Sequence, residues 1–167
     1  AMALGGVTTL LHEGQVIQSG SATQVYRNPV SVDAAKLFSE PAINLIPGRL
    51  SKSEVTFDES VHFPLDHDLR KIKPGDYTFG VLPSHIGLVP NHDDDLELSM
   101  RMQLAEISGS ETYMHVVNDH FDLVIQLSGV ISYHIGDPIK VYLPTHKLFV
   151  FDQAGNTIQS PSQRITR

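Results

Sequence analysis

The spacing of apolar residues along the chain changes once, near Pro47-Gly48. Before that point two β-prone runs, from Val7 to Gln18, flank His12-Glu13-Gly14 and predict a hairpin. Ser21 is placed to cap a short helix from Ala22 to Arg27, which Asn28-Pro29 must end because proline disfavours a helical residue before it. Ser31 is placed to cap a second helix from about Val32 to Phe38, closed by Glu40-Pro41. After Gly48 the period becomes two. Val55 and Phe57, Val61 and Phe63, then Phe121, Leu123, Ile125 and Leu127 alternate with other residues, as do Ile139, Val141 and Leu143. In the same way Met100, Met102, Leu104 and Glu106 are expected on one side of a strand, with Arg101, Gln103, Ala105 and Ile107 on the other. Leu148 to Phe151 is a last apolar run. Turn residues separate these segments at Lys73-Pro74-Gly75-Asp76, Gly109-Ser110, Asn118-Asp119 and Gly136-Asp137-Pro138. Short strands joined by turns, with no helix between them, predict a mainly β domain: a small, mostly antiparallel barrel or sandwich.

The β region repeats itself. Gly75, Asp76, Leu82, Pro83 and His85 recur as Gly136, Asp137, Leu143, Pro144 and His146, every pair offset by the same 61 residues (136 − 75 and 146 − 85). Each copy is a Gly-Asp turn, an extended apolar stretch and Leu-Pro-x-His. Two copies are too few for a solenoid, so the expectation is a domain built from two related halves. The composition break divides the chain into residues 1–47, too few for an independent core, and residues 48–167. The polar tail from Ser160-Pro161-Ser162 onward is expected to be frayed.

A chain of 167 residues that is 41% hydrophobic can bury a core, with seven Phe and five Tyr for bulk. It has no Cys, which excludes disulfides and thiol chemistry. No apolar run reaches the length of a membrane span, and no basic segment precedes an apolar one as in a leader. The formal charge is −7, which argues against nucleic acid as a partner. Arg70-Lys71-x-Lys73, beside Asp66, Asp68 and Asp76, reads as a solvated turn.

Candidate chemistry is sparse. His62 and His67 lie close to Asp66 and Asp68, and His92 precedes Asp93-Asp94-Asp95, but neither cluster has the spacing of an EF-hand or of H-E-x-x-H. His85 and His146 of the repeat could converge on a metal, but the stronger reading is a structural polar cap at a Pro-bounded strand end. No G-x-S-x-G, G-x-x-x-x-G-K-[ST] or G-x-G-x-x-G occurs. Leu127-Ser128-Gly129 opens like the L-S-G-G-Q signature, yet Val130-Ile131 follow and the segment alternates like a strand. The residues name no catalytic group, cofactor site or metal site.

Several stretches do resemble a known family. Val7 to Gly20, ending Gln15-Val16-Ile17-Gln18-Ser19-Gly20, resembles the end of a bacterial ABC-transporter ATPase domain. Ser21 to Pro29 is similar to its T-P-x-E-[VI]-Y-x-x-P, and Ala35, Phe38, Pro41, Asn44, Leu45, Ile46, Pro47 and Gly48 to its A-x-F-[IV]-G-x-P-x-M-N-L-L-P-G. Phe79 to His85 resembles G-I-R-P-E-H of the accessory domain, with Leu82 for the usual Arg and Ser84 for the usual Glu. Glu106, Gly109, Glu111 and Val116 resemble V-E-x-L-G-x-E-x-x-x-x-V, and Pro144 with Phe151-Asp152 resembles the closing P-x-x-x-x-x-F-D.

The resemblance is to the C-terminal part of ATP-binding subunits of maltose-type and glycerol-phosphate-type importers, and it implies the following. Residues 1–47 are a remnant of the ATPase domain. Residues 48–167 are a TOBE accessory domain, an OB-like barrel. The parent binds ATP and Mg, while this chain lacks the phosphate cradle, lysine, magnesium ligand and base of phosphoryl transfer and is not an enzyme. Its role is regulation and dimerisation, on the cytoplasmic side of the inner membrane. Its partners are a second copy, permease subunits through the ATPase domain, and a regulatory protein. The alternative is a sensor of a small solute or oxyanion, serving an importer of polyamine, sulfate, molybdate or iron. For either reading the loop residues Pro83, Ser84 and His85 and the turn Gly109, Ser110, Glu111 and Thr112 are the candidate contacts, because loops on rigid barrels carry binding groups.

Overall fold

The computed structural model describes residues 5–161, so the tail beyond Pro161 and the first four residues lie outside the described chain. The fold is mainly β, with a curled half-barrel sheet and two helices, in keeping with an OB-like domain. Its contacts divide it into two compact units, one running to Gly80 and resuming at His146, the other spanning Val81–Thr145.

The first unit opens with the hairpin. β1 (Val7–His12) pairs antiparallel with β2 (Gln15–Ser21) across a turn in which Glu13 (φ 50°) and Gly14 (φ 78°) both take the left-handed conformation. That pair of dihedrals matches the strand twist, which is why a Gly follows Glu13. The Ser21 hydroxyl accepts the Gln24 N–H and starts α1 (Ala22–Arg27); the Ser31 hydroxyl accepts the Ala34 N–H and starts α2 (Val32–Phe38). Leu10, Val25 and Ala34 bury against one another with Ile17 and Phe38 packed around them. The hairpin thus has one face on the helices. Val7, Leu11 and Val16 are exposed, Val7 at 80%.

The larger sheet of this unit runs in the order β12 (Thr157–Gln159), β11 (Phe149–Phe151), β6 (Gly75–Val81), β3 (Asn44–Leu50), β4 (Glu54–Phe57), β5 (Val61–Pro64). Phe57 stands edge-on to Phe63 at 5.1 Å and to Phe79 at 5.2 Å, and Phe57 and Phe79 are wholly buried. One glycine lets this cluster close, and a second makes room on the opposite face of β6. A Cβ on Gly48 would lie 2.7 Å from Phe57, and one on Gly80 would lie 2.8 Å from both Ile43 and Phe151. The turn between β11 and β12 joins the helical segment: the Val32 N–H donates to the Gly155 carbonyl, and the Thr157 N–H to the Val30 carbonyl.

The second unit holds a four-stranded sheet in the order β10 (Pro138–Leu143), β7 (Leu96–Ser108), β8 (Glu111–Val117), β9 (Asp122–Ser128), all neighbours antiparallel. Leu98, Met100, Met102, Met114, Val116, Leu123, Ile125, Ile139, Val141 and Leu143 bury on it.

The duplicated motif is visible in the fold. Each copy is a strand, β6 or β10, followed by a 3-10 turn, Pro83–His85 or Thr145–Lys147. These are the two places where the chain passes from one unit to the other. The Gly-Asp starts are used differently. Gly136 takes φ +90°, whereas Gly75 is an ordinary first strand residue; Asp76 pairs with Arg49, whereas Asp137 accepts the His134 N–H.

Three features differ from the sequence expectation. The regular alternation through residues 100–107 breaks, because β7 has a bulge between Met102 and Leu104. The extra residue reverses the facing, so Leu104 is 47% exposed instead of following Met102 inward. Pro47 and Gly48 lie within β3, which the alternation did not reveal because its Pro and Gly read as breakers. β8 begins at Glu111, so the turn itself is only Gly109-Ser110.

Replacing Gly80 by Ala forces a methyl into Ile43 and Phe151, and overpacking of this kind costs about 1–3 kcal/mol. Urea unfolding of G80A is expected to move to a lower midpoint by that amount with an unchanged slope.

Candidate functional site

Both candidate segments belong to the second unit and border β9. The 3-10 turn Pro83–His85 packs on it, and Glu111 and Thr112 pair with its last residues, Ser128 and Leu127. Pro83 is buried, His85 half-buried and Ser84 exposed. The proline fixes the start of the turn, and the His85 N–H donates to the Leu82 carbonyl at 2.9 Å. Leu82, where the resembled motif has Arg, is buried. Ser84, where it has Glu, faces out.

At the other segment Gly109 needs its left-handed φ of 62° to turn β7 into β8. Ser110 is exposed and Glu111 half-buried. Thr112 is wholly buried. Its hydroxyl donates to the Gly129 carbonyl at 2.7 Å and accepts the Ile131 N–H at 3.2 Å. Thr112 therefore fastens the chain leaving β9, while Ser84, Ser110 and Glu111 offer polar groups at or near the surface.

The carboxylate and histidine clusters serve their own loops. Asp66 Oδ1 accepts the N–H groups of Asp68 and Leu69, at 3.0 and 2.8 Å, and opens a 3-10 turn over Leu69–Lys71. Asp68 takes Lys71 at 2.9 Å and His67 at 3.2 Å. Asp95 Oδ2 accepts the N–H groups of Asn91 and His92. His62 lies 3.2 Å from Thr56 Oγ1 and 4.0 Å from Glu54. His85 and His146 each sit in a 3-10 turn of the repeat.

Two charged arrangements were not legible in the sequence, since their partners are far apart in the chain. Arg49 on β3 donates to both oxygens of Asp76 on β6, at 2.8 and 3.3 Å. The hydrogen bond and charge of Arg49 hold the Asp76 carboxyl below its ordinary range. On the second sheet Glu97 of β7 takes Lys140 Nζ at 2.8 Å and the Tyr142 hydroxyl at 2.8 Å, both from β10. Lys140 first and Tyr142 second lower the Glu97 pKa; the Glu97 bond raises those of Lys140 and Tyr142. Arg49, Asp76, Glu97 and Lys140 are exposed and Tyr142 is half-buried, so salt screens the charged pairs.

No protein-family model matches the sequence. The chain is similar to sn-glycerol-3-phosphate import ATP-binding protein UgpC of several bacteria. It is 28% identical to that of Psychromonas ingrahamii over 160 residues, covering 91% of this chain and 41% of the relative. It is 28% identical to that of Escherichia coli O157:H7 over 154 residues, covering 91% and 43%. It is 28% identical to that of Vibrio vulnificus strain YJ016 over 170 residues, covering 97% and 45%. The chain spans less than half the length of the curated relatives it matches.

Two outcomes are expected. Thr112→Val keeps the shape but strands the Gly129 carbonyl and Ile131 N–H, a loss of about 1–3 kcal/mol in chemical unfolding. For Glu97 the folded pKa lies below the unfolded one, so its contribution is present above the ordinary value near 4.5 and fades as pH falls through the lower folded value. Lys140 and Tyr142 are raised, so theirs is present below their ordinary values and fades as pH rises through the folded ones. Thermal melts of Glu97→Gln against pH are expected to show a smaller drop on both the acid and the alkaline side than the native chain shows.

Proposed function

We propose that this chain is the non-catalytic accessory portion of the ATP-binding subunit of a bacterial ABC importer for glycerol-phosphate or a related sugar solute. Similarity to the glycerol-phosphate import subunits along at least 91% of the chain carries the reading. In this reading residues 1–47 close an ATPase domain and residues 48–167 form a TOBE-type regulatory and dimerisation domain. The exposed Val7, Leu11 and Val16 support the first assignment, since a hairpin apolar on both faces suits the interior of a larger sheet. The mainly β remainder supports the second.

The parent subunit would bind ATP and Mg and work with permease subunits, peripheral to the inner membrane on its cytoplasmic side. Among the described residues no helix is long and apolar enough to cross a membrane. The chain itself would hold two copies together and present the loops around Ser84 and Ser110 to a regulatory protein. Phosphoryl transfer needs a phosphate cradle, a metal ligand and a positioned base, and the sequence contains no motif for the first.

Purified chain incubated with Mg-ATP is expected to release phosphate at the rate of a protein-free blank. Hydrolysis that co-elutes with the chain and persists after further purification would overturn the non-catalytic assignment.

A further inference from the structure

The negative charge of the chain is concentrated in one unit. Val81–Thr145 carries nine of the 19 Asp and Glu residues but, of the 12 Lys and Arg, only Arg101 and Lys140. Nine against two is a formal −7, the net charge of the whole chain, and the remaining ten acidic and ten basic residues cancel. Lys140 is already held by Glu97.

The strand register brings two of these carboxylates together beside the turn at Ser110. Glu106 of β7 pairs with Tyr113 of β8, and Ser108 with Glu111. Paired residues share a face and alternate residues return to it, so Glu106 and Glu111 are diagonal neighbours and Tyr113 is next to both. On the same face Leu104 pairs with His115, which in turn stands opposite Val124 of β9. Leu104 and Glu106 are exposed, and Glu111, Tyr113, His115 and Val124 are half-buried. Like charges so placed repel, and among the described residues neither carboxylate forms an ion pair. A tyrosine ring flanked by two such carboxylates attracts a cation through its face and through both charges. Leu104 and Val124 beside it suit the apolar stem of a Lys or Arg.

Resting on the regulatory reading above, we infer that the regulatory protein meets this face with a basic segment, one of whose Arg or Lys side chains lies on Tyr113 between Glu106 and Glu111. Charge complementarity selects the occupant. A second copy would set the same −7 unit against this one, and nucleic acid is itself anionic. A basic segment relieves the repulsion, and the field of the whole unit steers it in.

The probe is a fluorescein-labelled peptide of alternating Arg and Leu, titrated with the full chain and followed by anisotropy. It is expected to bind, more weakly as salt rises, while the same peptide with Glu for Arg does not. Glu106→Gln with Glu111→Gln is expected to weaken binding roughly fivefold, the loss of two partly exposed ion pairs. Tyr113→Leu is expected to weaken it roughly threefold. Asp93→Asn with Asp119→Asn removes the same charge from exposed positions elsewhere in the unit and is expected to leave the affinity unchanged. No binding of the Arg peptide, or equal weakening by the two double variants, would overturn this face and leave the regulatory reading intact. Spermine that binds more tightly than the peptide, and loses that binding in the Glu106 and Glu111 double variant, would overturn both in favour of a small-cation site.

Discussion

The contact of Phe57 with Phe63 and Phe79 is what the first unit depends on, and it exists because Gly48 has no side chain; Gly80 makes room in the same way on the other face of β6. Gly48 lies under Phe57, and Gly80 lies between Ile43 and Phe151. Aromatic rings bury large areas and prefer edge-on neighbours about 5 Å away, a geometry that leaves no room for a methyl beneath them. β3, β4 and β6 meet in this cluster, while β11 places Phe151 on the opposite face of β6. The two glycines are therefore as much part of the core as the rings.

The second unit rests on a different device. Its sheet is an alternation of buried aliphatic and Met side chains on four antiparallel strands, trimmed by hydrogen bonds at the ends. Thr112 fastens the segment after β9, and the bulge in β7 turns Leu104 outward. On its other side β7 pairs with β10 only over Leu96–Arg101. The turn at Ser84 and the turn at Ser110 both border β9.

Much of this was legible in the residues. The hairpin turn at Glu13-Gly14, the caps Ser21 and Ser31 and the alternating runs ending at Phe57, Phe63 and Leu143 are local signals, and the local signals hold. The repeat announced a strand followed by a Pro-bounded turn, and both copies form one. What was hidden is non-local. β3 carries Pro47 and Gly48, read as breakers, because their fitness depends on Phe57 from another strand. The facing of Leu104 depends on a one-residue mismatch with β8. The pairing of Glu97 with Lys140 and Tyr142 depends on which strands are neighbours. The loop candidates were named from turn chemistry, which does not tell that Thr112 points inward while Ser84 points out.

Native-state amide hydrogen exchange tests the central claim most directly, namely that a glycine-permitted phenylalanine core governs the first unit. Amides of β6 around Phe79 and their partners on β3 and β11 are expected to be the slowest of that unit, exchanging only through global opening, with the β1–β2 hairpin many-fold faster. Exchange from β6 as fast as from the hairpin, or unchanged in G80A, would contradict the account.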